Sequence, residues 1–148
     1  MSTIQRRYSL LLLIATLTCI TACAARGSRD RIPSEVETAV ASIGDDLAQE
    51  RYDKLYTESS SLWKKDSTPE RSAAVLKELR DKLGKVENRS VHTATEQQNS
   101  GGPLKGHAFI ITYETKFERG KGMETFTLIE EDKQWKLARY LVNSTDLK

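Results

Sequence analysis

The stretch GHAFIITYETKFERGKGMETFTLIEEDKQWKLARYLV, residues 106–142, decides the fold. In its first third Phe109, Ile111, Tyr113 and Phe117 fall on one side of an extended chain, and Thr112, Glu114, Lys116 and Glu118 on the other. Alternation with period two marks a half-buried strand. The glycine-rich run Arg119-Gly120-Lys121-Gly122 predicts a hairpin turn, and pairing Glu118 with Met123 sets a register. Tyr113 is then expected opposite Leu128, Thr115 opposite Phe126 and Phe117 opposite Glu124. A one-residue slip would turn Phe126 and Leu128 away from the apolar face.

A second turn at Asp132-Lys133 leads into a further strand, in which Trp135, Leu137 and Leu141 are expected to share one side and Leu137 to face Leu128. Carrying that register on puts Phe126 opposite Arg139 and Glu124 opposite Leu141. Glu124 and Arg139 thereby become diagonal neighbours, within reach of each other because one side chain is long. A charge facing a core needs a partner. An ion pair between Glu124 and Arg139 is therefore expected, with Tyr113 beside it, and these three are the candidate ligand-binding residues. The plainer role for the pair is to satisfy two charges at the rim.

Three antiparallel strands with one apolar face need a cover. The preceding chain offers it in helices. Ser34 is placed to cap a helix from Glu35 in which Val36, Val40, Ile43 and Leu47 form one stripe. Tyr52, Leu55, Tyr56, Leu62 and Trp63 extend the apolar supply, with Ser59-Ser60-Ser61 weakening regular helix as exposed helix-end serines. A further helix starts with Thr68 as cap and Pro69 at its first position, carries Val75, Leu76, Leu79 and Leu83, and stops at Gly84. Val86 to Thr95 reads as a first strand whose main apolar residue is Val91, and 97–106 as a loop. The predicted class is α+β, with N-terminal helices packed on one face of a curved, roughly four-stranded antiparallel sheet.

The 148 residues carry a net charge of +2, but the first 22 hold Arg6 and Arg7 ahead of an apolar run from Tyr8 to Leu17. That is the anatomy of a secretory signal, too short for a membrane span of about twenty residues. Without it, 21 Lys+Arg stand against 21 Asp+Glu, and a neutral domain gives no reason to expect nucleic acid. Ile20-Thr21-Ala22-Cys23 resembles the bacterial lipobox, which implies diacylglycerol on Cys23; an ordinary signal peptide with an incidental cysteine is the alternative. Cys19 fits the pattern less well. With Cys19 removed and Cys23 acylated, no thiol is left for a disulfide or a metal. Residues 23–33 then form a lipidated tether, about ten residues reaching at most roughly 35 Å, ahead of a single domain over 34–148. No aspartate follows Cys23, a feature that in Gram-negative lipoproteins resembles sorting to the outer membrane, facing the periplasm.

The order of helices followed by strands resembles the cystatin-like and SnoaL-like cone shared with nuclear transport factor two. From Tyr52 to Val142 the chain is similar to a domain-of-unknown-function family of small bacterial lipoproteins. The residues that carry this are Arg51-Tyr52-Asp53, Trp63-Lys64-Lys65, Lys82-Leu83-Gly84-Lys85-Val86, Tyr113-Glu114-Thr115-Lys116-Phe117, Glu124-Thr125-Phe126-Thr127-Leu128 and Trp135-Lys136-Leu137. That family has no assigned activity, so the resemblance implies no catalytic residues.

Direct chemistry is sparse. His92 and His107 have no Cys or His at ligand spacing, which gives no metal site and no cofactor to expect. The serine run lacks the strand-to-helix turn and histidine of a hydrolase. Gly101-Gly102 and Gly120-Lys121-Gly122 are too short for a phosphate loop. Asn88-Arg89-Ser90 and Asn143-Ser144-Thr145 read as coincidental matches to glycosylation acceptors, and 130–133 as a solvated hairpin tip. Two functions stay open: a non-catalytic envelope module for a small apolar ligand or another envelope protein, and an isomerase-like enzyme in which a pocket carboxylate moves a proton.

Overall fold

A computed structural model describes residues 32–147; the signal segment, Cys23 and most of the tether lie outside the described residues. Four helices precede four strands: α1 (Ser34–Ala48), α2 (Tyr52–Glu58), α3 (Ser61–Asp66), α4 (Pro69–Leu83), then β1 (Val86–Asn99), β2 (Gly106–Phe117), β3 (Gly120–Glu131) and β4 (Gln134–Asn143). The strands form one antiparallel meander in the order β1-β2-β3-β4, curved and unclosed, so the α+β class read from the sequence holds. β1 runs on to Asn99, and the connection to β2 shrinks to 100–105.

The helical stripes fold as their spacing dictates. Val36, Val40 and Ile43 of α1 and Leu55 and Leu76 of the later helices are buried against Phe109, Ile111, Phe126, Leu128 and Leu137. Burying each such side chain stabilises the domain by about 1.5–3 kcal/mol. Val75 is 50% exposed and lies off the stripe. Pro33 takes the cap position expected of Ser34, and its carbonyl accepts the Val36 and Glu37 amides; Ser34 is the first helical residue and supplies no side-chain cap. Thr68 and Pro69 behave as predicted, the threonine hydroxyl accepting the Arg71 amide. The serine run divides α2 from α3. Ser59 and Ser60 are buried rather than exposed, because Ser60 caps α3 through Trp63 and donates its amide to the Leu137 carbonyl of β4.

The first hairpin turns earlier than its glycines suggest. Phe117 pairs with Gly120, so Tyr113 faces Glu124 instead of Leu128, a slide of four residues. The even slide leaves the inward set unchanged. Glu118 and Arg119 make the turn because the end of α4 grips them: their amides donate to the Lys85 and Leu83 carbonyls, and the Arg119 guanidinium donates to the carbonyls of Arg80, Asp81 and Lys82. Cations at a helix C-terminus are favourably placed. Gly122 is needed for close approach, not for the turn: a Cβ there would sit 2.7 Å from the Asn143 carbonyl oxygen.

The second hairpin turns at Asp132-Lys133, both with positive φ, and Leu128 faces Leu137 as expected. Between Thr127 and Leu128 the register then shifts, with Thr127 opposite Arg139 and Ala138 as the extra residue. A bulge of one residue exchanges the two faces beyond it. Tyr140 and Val142 consequently face inward opposite Phe126 and Glu124, while Arg139 is exposed and Leu141 is 63% exposed. On the other side of the sheet, Leu62 and Leu104 pack on Ala108, Ile129 and Ala138 as a small second core.

Candidate functional site

Glu124 is completely buried in the middle of the helix-covered face, which is where its strand alternation placed it. Its partner is not Arg139, which the bulge at Ala138 carries to the opposite face, but Arg89 from β1. Arg89 pairs with Thr115 across the β1–β2 ladder and shares its face with Val91. Its Nε donates to Oε2 of Glu124 at 2.5 Å and its Nη2 to Oε1 at 2.8 Å. The Thr115 hydroxyl donates to Oε2 at 2.9 Å, and the Tyr140 hydroxyl to Oε1 at 2.6 Å. Two carboxylate oxygens offer about four acceptor positions. All four are taken.

The surroundings are built to hold this knot. Gly44 of α1 leaves room for the guanidinium, whose Nη1 lies only 3.1 Å from where a Cβ would stand. The Phe126 ring lies under the same group, 5.6 Å from Cζ to centroid, a favourable cation–π contact. Burial opposes the charge on Arg89, yet the hydrogen bonds and charge of Glu124 outweigh it and hold its pKa above the ordinary value. Burial first, and then the Glu124 carboxylate, push the Tyr140 phenol well above 10.0. Tyr113 lies across from Glu124, as a neighbour, but packs edge-on against Phe126 at 5.8 Å between centroids. Its phenol is also raised, by burial.

Beside the knot, a cavity of about 170 Å³ opens between α1, α4 and the sheet. Leu47, Leu76, Leu83, Phe117 and Val142 form its walls, and Tyr52, Arg80, Lys85, Arg89 and Tyr140 are its polar lining. The Tyr52 hydroxyl is buried without a hydrogen-bond partner. Arg80 has 17% of its side chain exposed; its Nη2 reaches the Ala48 carbonyl at 3.3 Å, and the Glu50 carboxylate stays 3.8 Å from its Nε.

Of the three residues expected at a site, Glu124 and Tyr113 are brought together and Arg139 is not. Arg89, Tyr140 and Thr115 were not singled out. Arg89 is legible from its strand parity with Val91, although Asn88-Arg89-Ser90 also reads as a match to a glycosylation acceptor. Val91 itself is 41% exposed at the sheet edge. Elsewhere, His107 lies between Glu130 and Glu96, at 2.9 and 2.6 Å, and Glu131 accepts the amide and hydroxyl of Ser61, so the second hairpin tip is tied down rather than merely solvated. Among the described residues no cluster of His, Cys, Asp and Glu could hold a metal ion, and no helix is long and apolar enough to cross a membrane.

The architecture defines the chain as a small α+β protein with helices over a four-stranded antiparallel sheet. Residues 40–140 match the model of a family described as protein of unknown function, DUF4019, and the chain belongs to that family. Comparison with curated proteins finds no match.

Proposed function

We propose that this chain is a bacterial envelope lipoprotein whose domain is a non-catalytic binding module, tethered to a membrane by lipid on Cys23. In a Gram-negative host that membrane is the outer one, with the domain facing the periplasm. The order of helices and strands supports kinship with the cystatin-like and SnoaL-like cone. The observation that carries the non-catalytic reading is the saturation of Glu124. A general base needs a carboxylate oxygen within reach of the proton it takes. Two carboxylates are buried among the described residues: Glu124, whose acceptor positions Arg89, Thr115 and Tyr140 occupy, and Asp46, which Arg51 and Lys54 hold. That arrangement weighs against the isomerase-like reading and in favour of binding by the adjoining cavity or by an envelope protein.

The test is purification from native membranes, comparing wild type with Ala48→Trp, which plugs the cavity mouth. The binding reading expects a small molecule or partner to travel with wild type and to be depleted from the variant. Nothing bound to either overturns it; a protein recovered equally from both would be bound outside the cavity. The tether is checked by Cys23→Ala, expected to yield a soluble or unprocessed chain; a mature-sized band still recovered with membranes would refute lipidation there.

A further inference from the structure

We infer that the cavity between α1, α4 and the sheet binds a small organic acid: an apolar body of ring size with one carboxylate, the carboxylate held by Arg80 and Tyr52. This rests on the binding-module reading and gives that module a ligand class. Size comes first. A volume of about 170 Å³ is close to the roughly 150 Å³ of an engineered apolar cavity that admits benzene, and below the roughly 300–1,000 Å³ of sites for drug-sized ligands. A single ring or a short chain fits; a fused ring system does not.

Polarity comes second, and the charged side chains that line the space are cationic. The side chains lining the space include Arg80, Lys85 and Arg89 but no aspartate or glutamate. Arg89 is spent on Glu124, with both oxygens of that carboxylate engaged. What is left over is donors. The Tyr52 hydroxyl is buried with no partner, although buried hydroxyls as a rule find one. The mostly buried Arg80 guanidinium has five N–H donors to place and makes one long bond to the Ala48 carbonyl. Its nearest carboxylate, on Glu50, stands at 3.8 Å, beyond hydrogen-bond distance. A neutral hydrocarbon would leave these donors unmet, and a cation would bring them no acceptor. A carboxylate answers both.

The probe is benzoate, with benzyl alcohol as its neutral counterpart, titrated calorimetrically into the full mature protein in lipid nanodiscs with empty nanodiscs as reference. Benzoate is expected to bind at one site per chain and at least tenfold more tightly than benzyl alcohol. Arg80→Gln should weaken benzoate at least tenfold, and Tyr52→Phe severalfold. Tyr52→Phe keeps the ring and removes only an unpartnered hydroxyl, so it serves as the readout if Arg80→Gln proves unstable. Arg71→Gln, outside the cavity lining, should change nothing. If benzyl alcohol binds as well as benzoate and neither variant matters, the acid specificity is wrong while the binding module stands. If neither probe binds wild type, and native membranes yield nothing bound to wild type either, the cavity is not a site and the binding reading fails with it.

Discussion

Replacing Arg89 with methionine removes the partly exposed half of an ion pair and leaves the fully buried half, Glu124, in place. Glu124, with no exposed surface, would keep only Thr115 and Tyr140 as donors, two of its four hydrogen bonds. Stranding a buried charge in this way costs about 3–5 kcal/mol, which for a domain of this size lowers the melting temperature by roughly 10–20 °C. Glu124→Gln costs less, about 1–3 kcal/mol, because the amide oxygen still accepts and Arg89, 24% exposed, can turn its charge to water. In the double variant nothing charged is left stranded, so the two costs do not add. The cycle should give a coupling of about 2–3 kcal/mol. Urea midpoints at neutral pH, with the slope of the transition unchanged, measure it. Arg139→Met, on the exposed face, should stay within about 0.5 kcal/mol of wild type. Additivity of the Arg89 and Glu124 substitutions to within about 0.5 kcal/mol would refute their pairing, and a coupling that appears with Arg139 instead would refute the bulged register.

Trp135→Ala should cost about 3 kcal/mol, the low end for a large core side chain, because Trp135 is only half-buried and meets Phe109 and His107 edge-on at 6.2 and 4.7 Å; an unshifted denaturation midpoint would mark it as a surface group. The Glu130 and Glu96 carboxylates raise the pKa of His107 above 6.5. Its contribution is therefore complete at pH below about 6.5 and is lost as pH rises through the higher folded value. Wild type should lose stability as pH rises above about 6.5 that His107→Gln does not lose, and identical profiles would refute the bridge. Gly122→Ala should destabilise by about 1–3 kcal/mol, since the new Cβ would press on backbone at Asn143; a neutral effect would mean that the ends of β3 and β4 splay freely.

The regularities of the chain were legible where local chemistry decides them. Thr68, Pro69 and Gly84 bound α4 as their capping roles require, and period-two alternation put Phe109, Ile111, Phe126 and Leu128 on the buried face. What escaped depended on contacts remote in sequence. The first turn is fixed by Arg119 reaching the carbonyl end of α4, about forty residues earlier, a force that the glycines beside it do not reveal. The extra residue at Ala138 leaves alternation intact on either side while exchanging Arg139 and Leu141 for Tyr140 and Val142. That exchange is why the need to pair Glu124 was readable, and the identity of its partner was not. A buried carboxylate demands a cation, but which one arrives depends on the register.

The central claim, that a locked carboxylate sits beside a ligand-binding cavity, is tested most directly by a crystal structure of the protein purified from its own membranes without refolding. The account predicts the four hydrogen bonds to Glu124 intact, with density for a small bound molecule between Leu47, Tyr52, Arg80 and Leu83. A cavity closed by its own side chains, or Glu124 released from Arg89 and facing an open pocket, would contradict it.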